Sequence, residues 1–551
     1  MSRRQRKREE KRRRHQDDQP RVLGRSLATG TGVAVGATLL MGGVAQGACT
    51  CTVQNLEEPI DAGTTTLRDA INSSQQPANS GSTITFASGL SGTITLASTL
   101  PLIVQPTTII GPGAGQITVD GDDAYRVFDI DTAPGDDVSI SGLTITNGSV
   151  TGGRGAGIRS KYADLTLSDA VVSSSDADEG GGGIATYDTG SLTVEKTTIS
   201  GNTGDRGAGV YAESGSGSVT TVRNSTVSGN SGADYGGGIY FDYSSPGALE
   251  NSTVYQNSAT GSGGGVYHFG AYNGDPGLVV TGSTITHNSA NRGGGLACYA
   301  STNNGTELKE PIVRNTIIFG NTADSASDGP DLSCKFTTGD EPGGVVPTGF
   351  SLIGSVAPGT QLDQTGPNLL AQDPQLGPLA GNGGPTQTQK PAVTSPVIDQ
   401  GAAFGLGTDQ RGLGRPVEIP SIPNAAGGDG SDIGAVELQP SELPPNTFTA
   451  KVKGKKILVT VLAAGSVGVA DSKAPLSASE SKKKKKKNRF LKGSSGAGSA
   501  PTIKVPLRLT KFAKQKLRRK GKLGLKARIT FTPDRGIPST RNVKLKVKGK
   551  K

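Results

Sequence analysis

The sequence predicts an all-β chain, a parallel β-helix followed by a small basic β-sandwich-like domain, and three observations carry that prediction. The first is a repeat. An aliphatic residue with asparagine three positions on, then a glycine-rich triplet closed by another aliphatic residue, occurs as Ile199, Asn202 and Gly207–Val210. It recurs as Val227, Asn230 and Gly236–Ile239, as Val254, Asn257 and Gly263–Val266, and as Ile285, Asn288 and Gly293–Leu296. The asparagines are 28, 27 and 31 residues apart, Asn321 follows after 33 more, and fainter copies stand at Gly155–Ile158 and Gly181–Ile184. A period of roughly 20 to 50 residues signals a solenoid, propeller or array. The second observation is what lies between the corners: Ser191–Glu195, Ser218–Val222 and Leu278–Thr281 are short runs of Val, Leu and Thr without helical spacing, which read as strands. Glycine enters left-handed backbone space freely, and asparagine tolerates it and bonds locally. Two or three short strands with such corners make one coil, and coils stack at ~4.8 Å. The third is the absence of tryptophan; a WD-type propeller needs Trp-Asp and ~40 to 45 residues per blade.

The elements follow in order. Residues 1–47 read as an export signal or N-terminal anchor: a basic stretch from Arg3 to Arg25, an uncharged stretch from Leu27 to Ala45, and a cleavage-type Ala45–Gly47. Cleavage and retention as an anchor both stay open. Residues 48–80 form an entry segment, 81–345 the coils, 346–440 a C-terminal cap and 441–551 the basic domain. A cap is expected because an uncovered solenoid end offers unpaired strand edges to other chains. In the basic domain Thr449–Lys453, Lys456–Val461, Lys526–Thr532 and Asn542–Val547 read as strands, and Thr510–Lys520 as a short basic helix.

The charge is divided. Residues 26–446 carry 15 Lys and Arg against 40 Asp and Glu, whereas 447–551 carry 31 against 3. Such asymmetry speaks of partners, not of fold. The four cysteines, Cys49, Cys51, Cys298 and Cys334, allow three pairings in an exported chain. A bridge between stacked coils fits Cys298 and Cys334, which are one coil plus an insertion apart, and the pairing stays open. A zinc site needs better ligand spacing than Cys49 and Cys51 give, and no metal or cofactor is expected.

The glycine and asparagine motifs resemble the repeats of polymorphic outer-membrane-protein-like surface β-helices. Thr66–Ile71 resembles the helix that opens many exported bacterial β-helix proteins, with Asp69 for the usual Glu. Asp373–Pro378, Asn382–Thr386, Ser395–Asp399, Thr408–Gly412, Arg415–Pro416 and Asp432–Glu437 resemble, in order, the cap of choice-of-anchor Q right-handed β-helix proteins. These resemblances cover about three quarters of the chain and imply a right-handed β-helix, secreted or at the bacterial cell surface.

Many right-handed β-helices degrade polysaccharides, and that chemistry would need catalytic groups. Asp120, Asp122 and Asp123 are the best carboxylate cluster for glycoside hydrolysis and read more simply as a turn. Arg159 and Lys161 form an isolated Arg-x-Lys without the Gly-His-Gly that polygalacturonase-like enzymes add. His268 and His287 are repeat residues. Asp409, Arg411, Asp432 and Glu437 read as structural ion pairs of the cap. The asparagine ladder reads as structure, each amide satisfying the next coil and buried backbone. Tyr211, Tyr240 and Tyr267 each follow an inward aliphatic residue, so strand alternation points them outward; three exposed rings one coil apart would form a platform for sugar rings. Lys482, Lys483, Lys484, Lys485, Lys486 and Lys487 form a loop suited to a polyanion. The expectation is a non-catalytic monomer for adhesion or polymer binding. Its partner would be a polysaccharide or cell-envelope polyanion, with no specific nucleic acid, and membrane-surface contact through the basic domain stays open. The alternative is a polysaccharide lyase or glycoside hydrolase acting on acidic polysaccharide.

Overall fold

The computed structural model describes residues 50–58, 64–215, 218–242, 246–270, 277–301, 310–324, 328–338, 341–342, 345–474 and 489–549. The expected export signal (1–47), Cys49 and Lys482–Lys487 lie outside the described residues.

The chain winds into a parallel solenoid. One coil contributes Leu192–Glu195 to sheet A, Thr198–Ser200 to sheet B, Thr203–Arg206 to sheet D and Val210–Ser214 to sheet C. Among the described residues these sheets contain 12, 11, 7 and 9 strands respectively. Pairing is in step with the repeat. Ile199, Val227, Val254, Ile285 and Ile318 stand in register on sheet B, and Val210, Ile239, Val266 and Leu296 on sheet C. All nine are fully buried in one core. The entry helix Leu67–Ser74 starts as its sequence asks, with a capping box between Thr66 and Asp69.

Each corner has its own chemistry. Between sheets B and D the left-handed residue is the one before the asparagine: Gly201, Gly229, Gln256, His287 and Gly320 all have positive φ. The asparagine itself turns inward. Asn230 donates from its backbone N–H (3.0 Å) and from Nδ2 (2.8 Å) to Oδ1 of Asn257, and its Nδ2 also reaches the Ile199 carbonyl. The same three bonds repeat from Asn202 to Asn321. The ladder ends on Asp331, which accepts at Oδ1 from Asn321 and at Oδ2 from the Ser355 N–H and hydroxyl. A carboxylate suits a last rung that meets only donors. A second ladder runs between sheets A and B: the hydroxyls of Ser225, Ser252, Ser283 and Thr316 accept the N–H of Thr197, Ser225, Ser252 and Ser283 in turn.

The glycine triplet serves contact as well as turning. Gly236 has φ +63°, but Gly237 and Gly238 are needed for space, because a Cβ would come 2.0 Å from the Ser258 carbonyl oxygen and 2.5 Å from that of Gly265. Cys298 and Cys334, paired in register on sheet C, form a disulfide across stacked coils. Cys51 is also disulfide-bonded.

The segment 346–440, expected as a cap, begins on the last coil and then leaves the solenoid end. After Gln361–Gln364 and Leu369–Leu370 extend sheets A and B, the chain returns along the flank of sheet B. Gln410 bonds Thr226 and Thr253, the Ala435 N–H donates to Thr284 (3.0 Å), and Asn315 donates to the Asp432 carbonyl (3.2 Å). Ile317 and Leu352 pack there with Val397, Ile398, Ile433 and Leu438. Sheet B thus presents threonine hydroxyls outward, which the returning segment bonds, and the aliphatic Ile317 and Leu352, which it buries. Arg411 pairs with Asp409 (2.9 Å) and Glu442 (3.0 Å), and Arg415 with Glu437 (3.1 Å). Asp432, read as an ion-pair member, instead accepts the N–H groups of Asp399 and Leu438.

The C-terminal domain is antiparallel. Strands Phe448–Lys453, Lys456–Val461 and Thr502–Pro506 form one sheet; Ser494–Gly498, Gly465–Asp471, Lys522–Pro533 and Ser539–Lys548 form the other. They share a separate core that includes Val459, Val467, Ile503, Ile529 and Phe531. Helix Lys511–Lys520 is capped by Thr510 and ended by left-handed Gly521.

Candidate functional site

The outer face of sheet C gathers the aromatic residues. Tyr211, Tyr240 and Tyr267 stand in register outside the solenoid core, and their rings stack at 5.3 and 5.4 Å. They are not an exposed platform: their residue exposures are 1, 4 and 6%. Two features of the fold remove the platform. Coil spacing lays each ring face on the next, leaving no free face for a sugar. The segments leading from sheet D to the glycine corners then cover the edges, with Arg154 4.6 Å from the Tyr211 ring, Arg206 6.0 Å from Tyr240 and Tyr235 4.8 Å from Tyr267.

The polar tips are also satisfied. Tyr211 donates to Glu213 (2.5 Å) and Asp242 (3.3 Å), Tyr240 donates to Asp242 (3.4 Å), and Arg154 pairs with Glu213 (2.6 Å) and Glu179 (3.6 Å). Burial, followed by the charges of Asp242 and Glu213, pushes the Tyr211 phenol well up, and burial does the same to Tyr267. Both stay protonated donors and cannot serve as bases near neutral pH. Beneath them, on the inward side, His268 is fully buried, neither ring nitrogen has a hydrogen-bond partner among the described residues, and burial lowers its pKa to about 4. It is a neutral core residue. Glu213, Asp242, Arg154 and Arg206 were not singled out in the sequence; spacing alone does not show that residues one or two coils apart meet.

Asp120, Asp122 and Asp123 form a turn. Asp120 accepts from the Asp122 N–H (2.9 Å) and from Asn147 (3.1 Å), while Asp122 and Asp123 have φ of 55° and 52°. Arg159 pairs with Asp129, and Lys161 lies 3.9 Å from Asp188. The Arg-x-Lys is therefore engaged by carboxylates of its own sheet.

The basic domain offers the contrasting case. On adjacent strands Lys522 stands opposite Lys548 and Lys526 opposite Lys544, and all four are exposed. Among the described residues no carboxylate lies within 4.0 Å of these four or of Lys546. Like charges directly opposite each other on a sheet are destabilising. The domain touches the cap elsewhere: Arg535 donates to the carbonyls of Val393 and Ser395, and the Ser421 hydroxyl donates to the Gly536 carbonyl (3.5 Å). In the sequence this surface is marked by lysines at the even positions 522, 526, 544, 546 and 548, a weaker signal than the continuous run at 482–487.

A family described as right handed beta helix region matches residues 128–331. The solenoid is a right-handed β-helix. Among solved structures the chain is similar to pectate lyase Pel9A, at 12% identity and a TM-score of 0.39, over 72% of this chain and 98% of that one. No match was found among curated protein sequences.

Proposed function

We propose that this is a non-catalytic β-helix protein, secreted or held at a bacterial cell surface, whose C-terminal domain holds an envelope polyanion while the acidic solenoid serves as a rigid adhesive or polymer-contacting arm. The observation that carries the reading is the set of cross-strand lysine pairs that have no carboxylate partner among the described residues. A fold that accepts this repulsion gains from a ligand that neutralises it. The solenoid supports the non-catalytic half of the proposal, since its tyrosines, acids and arginines engage one another. Export and a choice-of-anchor type of cap belong to the same proposal and rest on the sequence motifs.

The test is retention of the purified protein on an anionic cell-wall preparation as salt is raised. Polyanion binding through counterion release weakens steeply and log-linearly with salt. Retention that ignores salt, or none even at low salt, would overturn the proposal.

A further inference from the structure

We infer that the outer face of the four-stranded sheet in the C-terminal domain is a binding groove for a linear anionic polysaccharide; this rests on the reading that the domain holds a polyanion and locates the site. The face contains a shallow groove of about 500 Å³, floored by Gly468–Ala470 and Gly493–Ser495, with Arg508, Arg528 and Thr530 on its walls. Arg528 is held in place by a 3.0 Å bond to the Ala474 carbonyl, and Arg508 is exposed.

From Arg528 the groove opens onto the paired lysines. Arg528 faces Asn542, Lys526 faces Lys544, Gly524 faces Lys546 and Lys522 faces Lys548. Successive outward positions on a strand are ~6.8 Å apart. A chain laid along the strands therefore meets at least one cation at each of four levels, a spacing suited to a polymer with an anion on every sugar or two.

The composition of the face selects among polyanions. Its outward residues Ser466, Gly468, Ala470, Ser495, Thr530 and Thr540 are small, and the hydroxylated ones provide partners for sugar hydroxyls. It bears no aromatic residue for base stacking and no large apolar side chain to enter a membrane. Helix Lys511–Lys520 is different: Phe512 is exposed there, and Lys516 lies over Phe490 and Phe512.

The experiment titrates the full protein with labelled polygalacturonate oligomers. One groove variant removes charge (Lys526→Gln with Lys544→Gln). A second, Gly468→Phe, fills the floor without changing charge; a Cβ at Gly468 meets nothing within 4 Å, so folding is spared and a melting curve checks it. A helix variant, Lys514→Gln with Arg518→Gln, removes equal charge elsewhere. Both groove variants are expected to weaken Kd by about tenfold, the sum of a few exposed charge contacts or the loss of the fitted floor, with the helix variant close to the parent. Loss in the helix variant with the groove variants unaffected would overturn the groove while leaving the domain-level reading intact. A parent that binds no polyanion would overturn both. Tighter binding of duplex DNA or phosphatidylglycerol vesicles, abolished by Gly468→Phe, would overturn the polysaccharide assignment.

Discussion

Replacing Asn257 by alanine is expected to destabilise the solenoid by about 4 kcal/mol, since each buried group left without a partner costs roughly 1 to 3 kcal/mol. Asn257 is fully buried in mid-ladder. Its Oδ1 accepts the Asn230 N–H and Nδ2, and its Nδ2 donates to Asn288 Oδ1 and to the Val227 carbonyl. Truncation strands two donors of Asn230 and the Val227 carbonyl on one neighbouring coil, while Asn288 Oδ1 on the other keeps only the backbone N–H of residue 257. Nearest-neighbour coupling in a solenoid passes the loss to adjacent coils. Thermal melting of the variant measures it, and a curve matching the parent would show that the ladder contributes little.

Raising the pH from about 4 to 8 is expected to weaken the hold of the cap on the solenoid, and Asp399→Asn to remove part of that dependence. Asp399 is fully buried; its Oδ2 accepts the Ile419 N–H, and its Oδ1 has no partner among the described residues. Burial raises it to about 7, and burial likewise raises Asp432 and Glu437 against the pull of Arg415. A carboxyl whose folded pKa is raised gives stability that is complete below its unfolded value near 4 and is lost as pH climbs through the folded value. Asp429 and Glu442 work in the opposite sense. Backbone N–H bonds at Asp429 and Arg411 beside Glu442 outweigh burial and lower them, so their stabilisation is lost only as pH falls below the usual carboxylate range. Asparagine keeps the acceptor for Ile419 and never ionises. The variant is therefore expected to exceed the parent at pH 8 by about 2 kcal/mol, allowing for relaxation around the ionised group, and to match it near pH 4. Hydrogen exchange at cap amides such as that of Ile419 reads this locally; a parent profile flat from pH 5 to 8 would contradict it.

The solenoid was legible because its determinants are local and periodic. Ile199, Asn202 and the glycine triplet define one coil, and register follows when the next coil repeats them. The amide ladder was legible for the same reason, although the left-handed corner belongs to the residue before each asparagine. The tyrosines show where such reading stops. Alternation gave the direction of Tyr211, Tyr240 and Tyr267, but their burial depends on Arg154, Arg206 and Tyr235, which reach across from another corner. The cap shows the same limit at longer range. Its motifs marked a structured segment, yet the contacts of Gln410 with Thr226 and of Ala435 with Thr284 span more than 150 residues, and no periodicity encodes them. In the basic domain, alternation along two strands carried the signal, but pairing Lys526 with Lys544 required the hairpin register.

Binding without turnover is the central claim, and one assay reads both halves. Polygalacturonate is incubated with the protein while bound polymer and newly formed reducing or unsaturated ends are followed in the same sample. The account predicts saturable, salt-sensitive binding with no new ends above the protein-free control. New ends that accumulate with time and vanish in Glu213→Gln or Asp242→Asn would contradict it and make the outer face of sheet C an active site.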